Sequence, residues 1–141
     1  MTDRTDGRSD GRAVVEQLIT AINAHDLPAC GALFTDNARL VAATGRVLDR
    51  EGMGRLLQGT LRTFPDAQVR VKRWIIDGEM VVTEEVLAGT HQGEFAGLPA
   101  SGQRVEIPMV HVTRVCDGRI VERVTYHDTA AILRQLESAA T

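Results

Sequence analysis

The hydrophobic repeat of this chain changes at Pro65, from a spacing of three and four residues to a spacing of two, and that single change restricts the folds open to it. Upstream, Val14, Val15, Leu18, Ile19 and Ile22 fall on one stripe of a helix that opens at Arg12. Asp26 is placed to cap a second helix, with Pro28 in its first turn and Cys30, Leu33 and Phe34 on its apolar side. Thr35, Asp36 and Asn37 read as the break after it. Residues 38–43 suit a short apolar strand, and a third helix after Asp49 carries Met53, Leu56, Leu57, Leu61 and Phe64 on one side. Gly52, Gly54 and Gly59 each weaken that helix by about 1 kcal/mol, so packing must hold it.

Beyond Pro65 the segments 69–76, 80–90, 104–115 and 119–127 alternate as strands, and Asp77-Gly78 and Asp117-Gly118 are hairpin signals that join them in pairs. A Gly- and Pro-rich loop, 93–102, separates the pairs, and a closing helix follows Asp128 with Ile132, Leu133 and Leu136 inward. Helices at one end of the sequence and hairpins at the other predict an α+β fold, a cone-shaped, curved antiparallel sheet covered by the N-terminal helices. A cone of this kind encloses a natural small-molecule cavity.

Length and composition narrow the functions. With 141 residues the chain suits one domain, expected over 12–141, after a disordered, frayed tail over 1–11 whose Asp, Arg, Gly, Ser and Thr cannot bury enough apolar surface to order. The net charge of −3 and pI near 5.8 argue against a nucleic-acid partner, which would call for a domain pI above about 9. No apolar run approaches the roughly 18 residues of a membrane helix, and the N-terminus is charged where a signal peptide is apolar, so a cytoplasmic protein is expected. Cys30 and Cys116 stand alone, without CxxC spacing, and read as small buried hydrophobes. The sequence has no metal-ligand spacing, no Gly-rich phosphate loop and no Ser or Cys nucleophile motif, so the chemistry expected is proton transfer without cofactor or metal.

Alternation in 104–115 sets Val105, Ile107, Met109, His111, Thr113 and Val115 on one face. His111 therefore lies on the apolar side, either as a core histidine hydrogen-bonded to a neighbour or as a general acid or base. In 80–90 the residues Val81, Thr83, Glu85 and Leu87 share a face, and an inward Glu85 would be a desolvated carboxylate able to act as a base. Pairing of Glu85 with Arg70 or Arg73 across the hairpin is the commoner arrangement and the one expected. Asp128 reads as a helix N-cap for the Ala131 N–H, His91 as a tie for the long loop, and His25 as a cation at a helix C-terminus. His127 stays open between roles.

The stretches VVEQLITAINAHDLPACGALF, GTHQGEFAGLPASGQRV and VHVTRVCDGRIVERVTYHDTAAILRQL resemble the SnoaL-like polyketide cyclases of the nuclear-transport-factor-2-like superfamily, from about Arg12 to Leu136. The resemblance implies an intramolecular aldol ring closure on an aromatic polyketide ester, without metal or cofactor, in a hydrophobic pocket. It also implies homodimers or higher homo-oligomers built through the sheet. The family's pocket histidine falls on His111, and its acid/base aspartate falls on Thr125 in an ungapped reading from DGRI. Threonine cannot replace a carboxylate as a proton acceptor. The epoxide-hydrolase relatives lose an aspartate at Thr125 too, and the ketosteroid-isomerase positions hold Leu18 and Ala42.

A plain two-residue turn at Asp117-Gly118 would set His111 opposite Val124, whereas a one-residue bulge sets it opposite Thr125. The bulge is expected, because a sheet curves at bulges, and it brings Arg123 and His127 to the face of Thr125. The chain thus reads as an acid/base enzyme of secondary metabolism, closing, dehydrating or isomerising a small hydrophobic polyketide-derived substrate. His111 is the expected acid/base group, with Thr125 and Glu85 as further catalytic members. Trp74, His91, Phe95, Met109, Arg123 and His127 are expected to contact substrate within a mainly aliphatic wall. The alternative is a small-molecule-binding protein that kept the cavity and lost the catalytic carboxylate; a third reading is association through the sheet alone.

Overall fold

A computed structural model of the chain describes residues 4–140, with side-chain surroundings for residues 11–137. The elements run α1 (Arg4–Asn23), α2 (Leu27–Gly31), β1 (Phe34–Val41), β2 (Val47–Leu48), α3 (Arg50–Thr63), β3 (Gln68–Asp77), β4 (Met80–Thr90), β5 (Arg104–Cys116), β6 (Arg119–His127) and α4 (Thr129–Ala140). One six-stranded sheet results, in the order β2-β1-β6-β5-β4-β3. β1 joins it parallel to β6, and every other neighbouring pair is antiparallel. This is the α+β arrangement of helices over a curved, unclosed sheet that the period change predicts.

The boundaries of the long strands agree with the alternation to within a residue or two, and three features differ. α1 begins at Arg4 rather than Arg12, so the part of 1–11 from Arg4 onward is helical, and residues 1–3 lie outside the described residues. A helix nucleated by a packed stripe extends at little cost per added residue, which a burial argument overlooks. β1 starts at Phe34 and includes Thr35, Asp36 and Asn37, read above as a break. Those turn-formers fall where the β1–β6 register shifts, between Phe34 and Arg39. β2 has only two residues, too few to show a period.

Local chemistry sets the helix ends. Asp26 accepts the Ala29 N–H at 3.1 Å to start α2, Asp49 accepts that of Gly52 at 2.7 Å to start α3, and Asp128 accepts that of Ala131 at 3.1 Å to start α4. His25, at φ 58°, ends α1 in the left-handed conformation, and its Nε2 donates to the Ala67 carbonyl at 2.9 Å. The Asn23 side chain bonds both the N–H and the carbonyl of Val69, at 2.7 and 2.8 Å. Together these contacts fix the end of α1 on β3.

The core lies in two clusters. Val15, Leu18, Phe34, Leu40 and Ile120 pack between the helices and the sheet, and Phe64, Val105, Ile107, Ile132 and Leu136 fill the other end under α4. Each fully buried side chain of this size contributes about 1.5–3 kcal/mol. α4 also covers the stretch of β5 that β6 does not reach: the Gln135 amide bonds the N–H and carbonyl of Glu106 at 3.1 and 2.9 Å. Among the described residues no helix is long and apolar enough to cross a membrane.

Candidate active site

Between α1, α3, the β1–β2 turn and the inner face of the sheet lies a cavity of about 510 Å³. That volume suits a small-molecule site, for which about 300–1,000 Å³ is usual. Its wall is largely aliphatic, with Leu18, Ile22, Leu40, Met53 and Leu57 among the lining residues. The polar groups come from the strands. Period-two alternation sends every second side chain inward, so Thr83, His111 and Thr125 form one row across β4, β5 and β6, and Glu85, Met109 and His127 form the next.

The rows depend on the bulge. Arg114 pairs with Glu122 and Val115 with Ile120, so Val121 is the extra residue on β6, and from there on His111 faces Thr125 rather than Val124. Both residues of the Asp117-Gly118 turn have positive φ, 50° and 77°, the primed geometry that fits the twist of a hairpin.

A chain of polar contacts runs along the inner face. Thr125 Oγ1 lies 3.0 Å from His111 Nδ1, and His111 Nε2 lies 3.4 Å from Glu85 Oε1. Glu85 Oε2 accepts from the Thr83 hydroxyl at 2.5 Å and lies 3.6 Å from Arg123 Nη2. Arg123 in turn donates to Thr113 Oγ1 at 2.7 Å. Glu85 is 1% exposed, Arg123 6% and His111 8%, so the network is almost dry.

Burial dominates the titration of every member. It pushes the Glu85 carboxyl above its ordinary range, with the Arg123 guanidinium and the Thr83 hydroxyl opposing. It also holds His111 well below the usual histidine range, and the charges of Arg123 and His127 act in the same direction. His111 is therefore neutral near pH 7. With Glu85 ionised, a ring proton on Nε2 would face its carboxylate and leave Nδ1 to accept from the Thr125 hydroxyl. His127 is lowered by burial, with Asp128 opposing, and its Nδ1 is buried without a hydrogen-bond partner.

Of the residues singled out by sequence, His111, Thr125, Glu85, Met109, Arg123 and His127 all line the cavity. Glu85 corrects the expectation that it pairs with Arg70 or Arg73. Arg70 pairs with Glu106 at 3.6 Å and Arg73 with Glu84 at 3.3 Å, because the β3–β4 register shifts between Val71 and Arg73 and brings Arg73 opposite Glu84. Glu85 is left facing inward.

Trp74, His91 and Phe95 do not line the cavity. Trp74 packs against the first core cluster, with the Arg12 guanidinium 4.5 Å from the ring centroid. His91 is fully buried, its Nδ1 bonded to Ser101 Oγ at 2.9 Å, and it ties down the long loop as its sequence position suggests. Phe95 stacks edge-on to Phe64, centroids 6.4 Å apart. The loop folds back on the end of α3, where the Gln92 and Gly93 N–H groups bond the Thr63 carbonyl, and so turns its aromatics away from the cone. Cys30 is wholly buried, its thiol pushed up to about 11 chiefly by burial, which fits a packing role.

Sequence reasoning missed Arg46 and Arg55, which also line the cavity. One sits on a turn and the other on a helix, and no periodicity links them. Thr83 and Thr113, the hydroxyl partners of Glu85 and Arg123, carried a signal in the alternation of their strands.

Residues 12–136 match the family model of the SnoaL-like polyketide cyclases, and the chain belongs to that family. Among curated relatives it is similar to the nogalonic acid methyl ester cyclase of Streptomyces nogalater, 32% identical over 82 residues, which is 57% of this chain and 61% of that protein. The aklanonic acid methyl ester cyclase DnrD of Streptomyces peucetius is 33% identical over 60 residues, 43% of this chain and 41% of that one. The matched segments thus span less than two thirds of these curated relatives. Of solved structures, IdmH from Streptomyces antibioticus, assigned as a polyketide cyclase, superposes with a TM-score of 0.82 at 34% identity, covering 90% of this chain and 98% of its own. A protein of Catenulispora acidiphila with the ketosteroid isomerase-like fold superposes with a TM-score of 0.75 at 21% identity, covering 88% and 92%, which bears on the fold alone.

Proposed function

We propose that this chain is a cofactor-free acid/base enzyme of secondary metabolism, a cyclase acting on a hydrophobic polyketide-derived substrate. The observation that carries the reading is the line Thr125–His111–Glu85, set along the wall of an aliphatic cavity. The carboxylate absent from position 125 enters from β4 instead, behind His111. In this reading Thr125 need not keep a proton. Its oxygen takes the acidic C–H proton next to a substrate carbonyl while its own hydroxyl proton passes to His111 Nδ1, and Glu85 stabilises the resulting imidazolium. The enolate carbon attacks a second carbonyl, forming the ring bond, and the relay run in reverse protonates the new alkoxide. Only protons and one carbon–carbon bond change hands, chemistry a relay of this kind can serve unaided.

One observation favours a second reading. Both ring nitrogens of His111 already face protein groups, as they would in a binding protein that kept the cavity alone. Incubation with a polyketide methyl ester of the kind named for the curated relatives separates the two. A cyclised product by mass spectrometry supports the enzyme. A concentration-dependent rise in melting temperature with no product supports the binder. The proposed protein is cytoplasmic and self-associates through the outer sheet face, where Val110 and Tyr126 pair across β5 and β6 and stand exposed.

A further inference from the structure

The charge on the cavity wall differs in sign from the charge of the chain. The sequence carries a net −3, yet the charged side chains lining the cavity are Arg46, Arg55 and Arg123 against Glu85 as the single acid. Arg123 and Glu85 answer each other in the interior. Arg46 and Arg55 are left over at the exposed end, Arg46 on the turn between β1 and β2 and Arg55 on α3. Among the described residues, seven surface arginines lie within 4.0 Å of a carboxylate, and neither of these two does. Arg62, Arg114 and Arg119 are unpaired as well, but none of them lines the cavity.

Two uncompensated guanidiniums on the rim of a low-dielectric cavity focus a positive potential into it. Each offers a planar fork that matches a carboxylate in bidentate fashion. Beside them Leu56 lines the cavity although half of it is exposed, so the rim presents an apolar surface next to the charge. That pairing of features suits a ligand with an apolar body and one anionic end. We infer that the substrate is a free carboxylic acid, its carboxylate held at the mouth by Arg46 and Arg55 and its apolar body directed toward Thr125 and His111. The inference rests on the proposed hydrophobic-substrate reading and sharpens it. The curated relatives are named for methyl esters, in which that charge is masked.

The test compares anthraquinone-2-carboxylate with its methyl ester by titration calorimetry on the full chain, so that turnover is not needed. At low salt the acid should bind about five- to tenfold tighter than the ester, the scale of two solvent-accessible ion pairs. The double variant Arg46→Gln/Arg55→Gln should remove that advantage and leave ester affinity within about twofold, since neutral probes gain little from exposed charge. Added salt at about 0.5 M should narrow the gap in the native chain by screening. Ester binding equal to or tighter than acid binding overturns the carboxylate inference while leaving the hydrophobic-cavity reading in place. Equal weakening of both probes in the double variant overturns it as well. Binding of neither probe overturns both.

Discussion

The Thr125 hydroxyl lies 3.0 Å from Nδ1 of His111, a contact that one extra residue on β6, Val121, brings about. Without that bulge the histidine would face Val124 and the hydroxyl would point to the outer side of the sheet. The contact on which the proposed relay rests is therefore a property of strand register as much as of residue identity.

Thr125 is the group expected to touch substrate. Thr125→Ala should lower kcat by roughly 100-fold, the scale of one positioned acid/base group, whereas Thr125→Ser, which keeps the oxygen, should stay within about tenfold of the native value. Steady-state turnover of a polyketide ester or acid provides the comparison. Equal loss in the two variants would mean that the methyl group, not the hydroxyl, matters.

Glu85 should show two separable effects. It is 1% exposed, and Glu85→Ala leaves the Arg123 guanidinium buried and unanswered, a loss of about 3–5 kcal/mol for a broken buried pair, measurable by urea denaturation. Glu85→Gln preserves the shape, should fold better than the alanine variant, and should still lose about 10- to 100-fold in kcat because a neutral amide stabilises an imidazolium poorly.

The pH dependence follows from the directions of two shifts. His111 is held well below its ordinary 6.5, and must be neutral to accept from Thr125. Glu85 is raised above its ordinary 4.5, and must be ionised to stabilise the imidazolium. Protonation of either group removes function, so kcat/KM should fall as the pH is lowered. The apparent pKa of that limb belongs to the His111–Glu85 pair rather than to one residue. A rate that rises as the pH is lowered would contradict a relay that needs a neutral His111 and an ionised Glu85.

His91 belongs to the loop and not to the cavity. His91→Ala removes its bond to Ser101, and Gly93→Ala drives a Cβ into the Arg62 carbonyl, so both should lower the melting temperature. The cost for His91→Ala is about 1–3 kcal/mol, as for a buried hydrogen bond left half-made. Probe affinity measured on the folded fraction should be unchanged for both.

Much of this was legible in the sequence because the signals were periodic. Alternation in β5 placed His111 inward, that in β4 set Glu85 on one face with Val81, Thr83 and Leu87, and the Asp-Gly pairs located both hairpins. The bulge was the expected register, although only the fold shows which residue is extra. Trp74 and Phe95 lie outside the cavity lining because being large and near the sheet does not say which side of a core a ring fills, whereas His91 takes the loop-tying role its position suggests and not the substrate contact. Glu85 was misassigned because a shift at Val71 and Arg73 changes the cross-strand partner without any mark in composition. Arg46 and Arg55 come to one cavity only through tertiary structure, which local pattern does not encode.

The most direct measurement is product formation by His111→Ala alongside the native chain, with ligand affinity determined on both. Among the described residues, His111 is the only group that links the Thr125 hydroxyl to the Glu85 carboxylate. The expected result is a fall in turnover of roughly 100-fold or more with affinity largely kept. Turnover near the native value would contradict the acid/base role of His111.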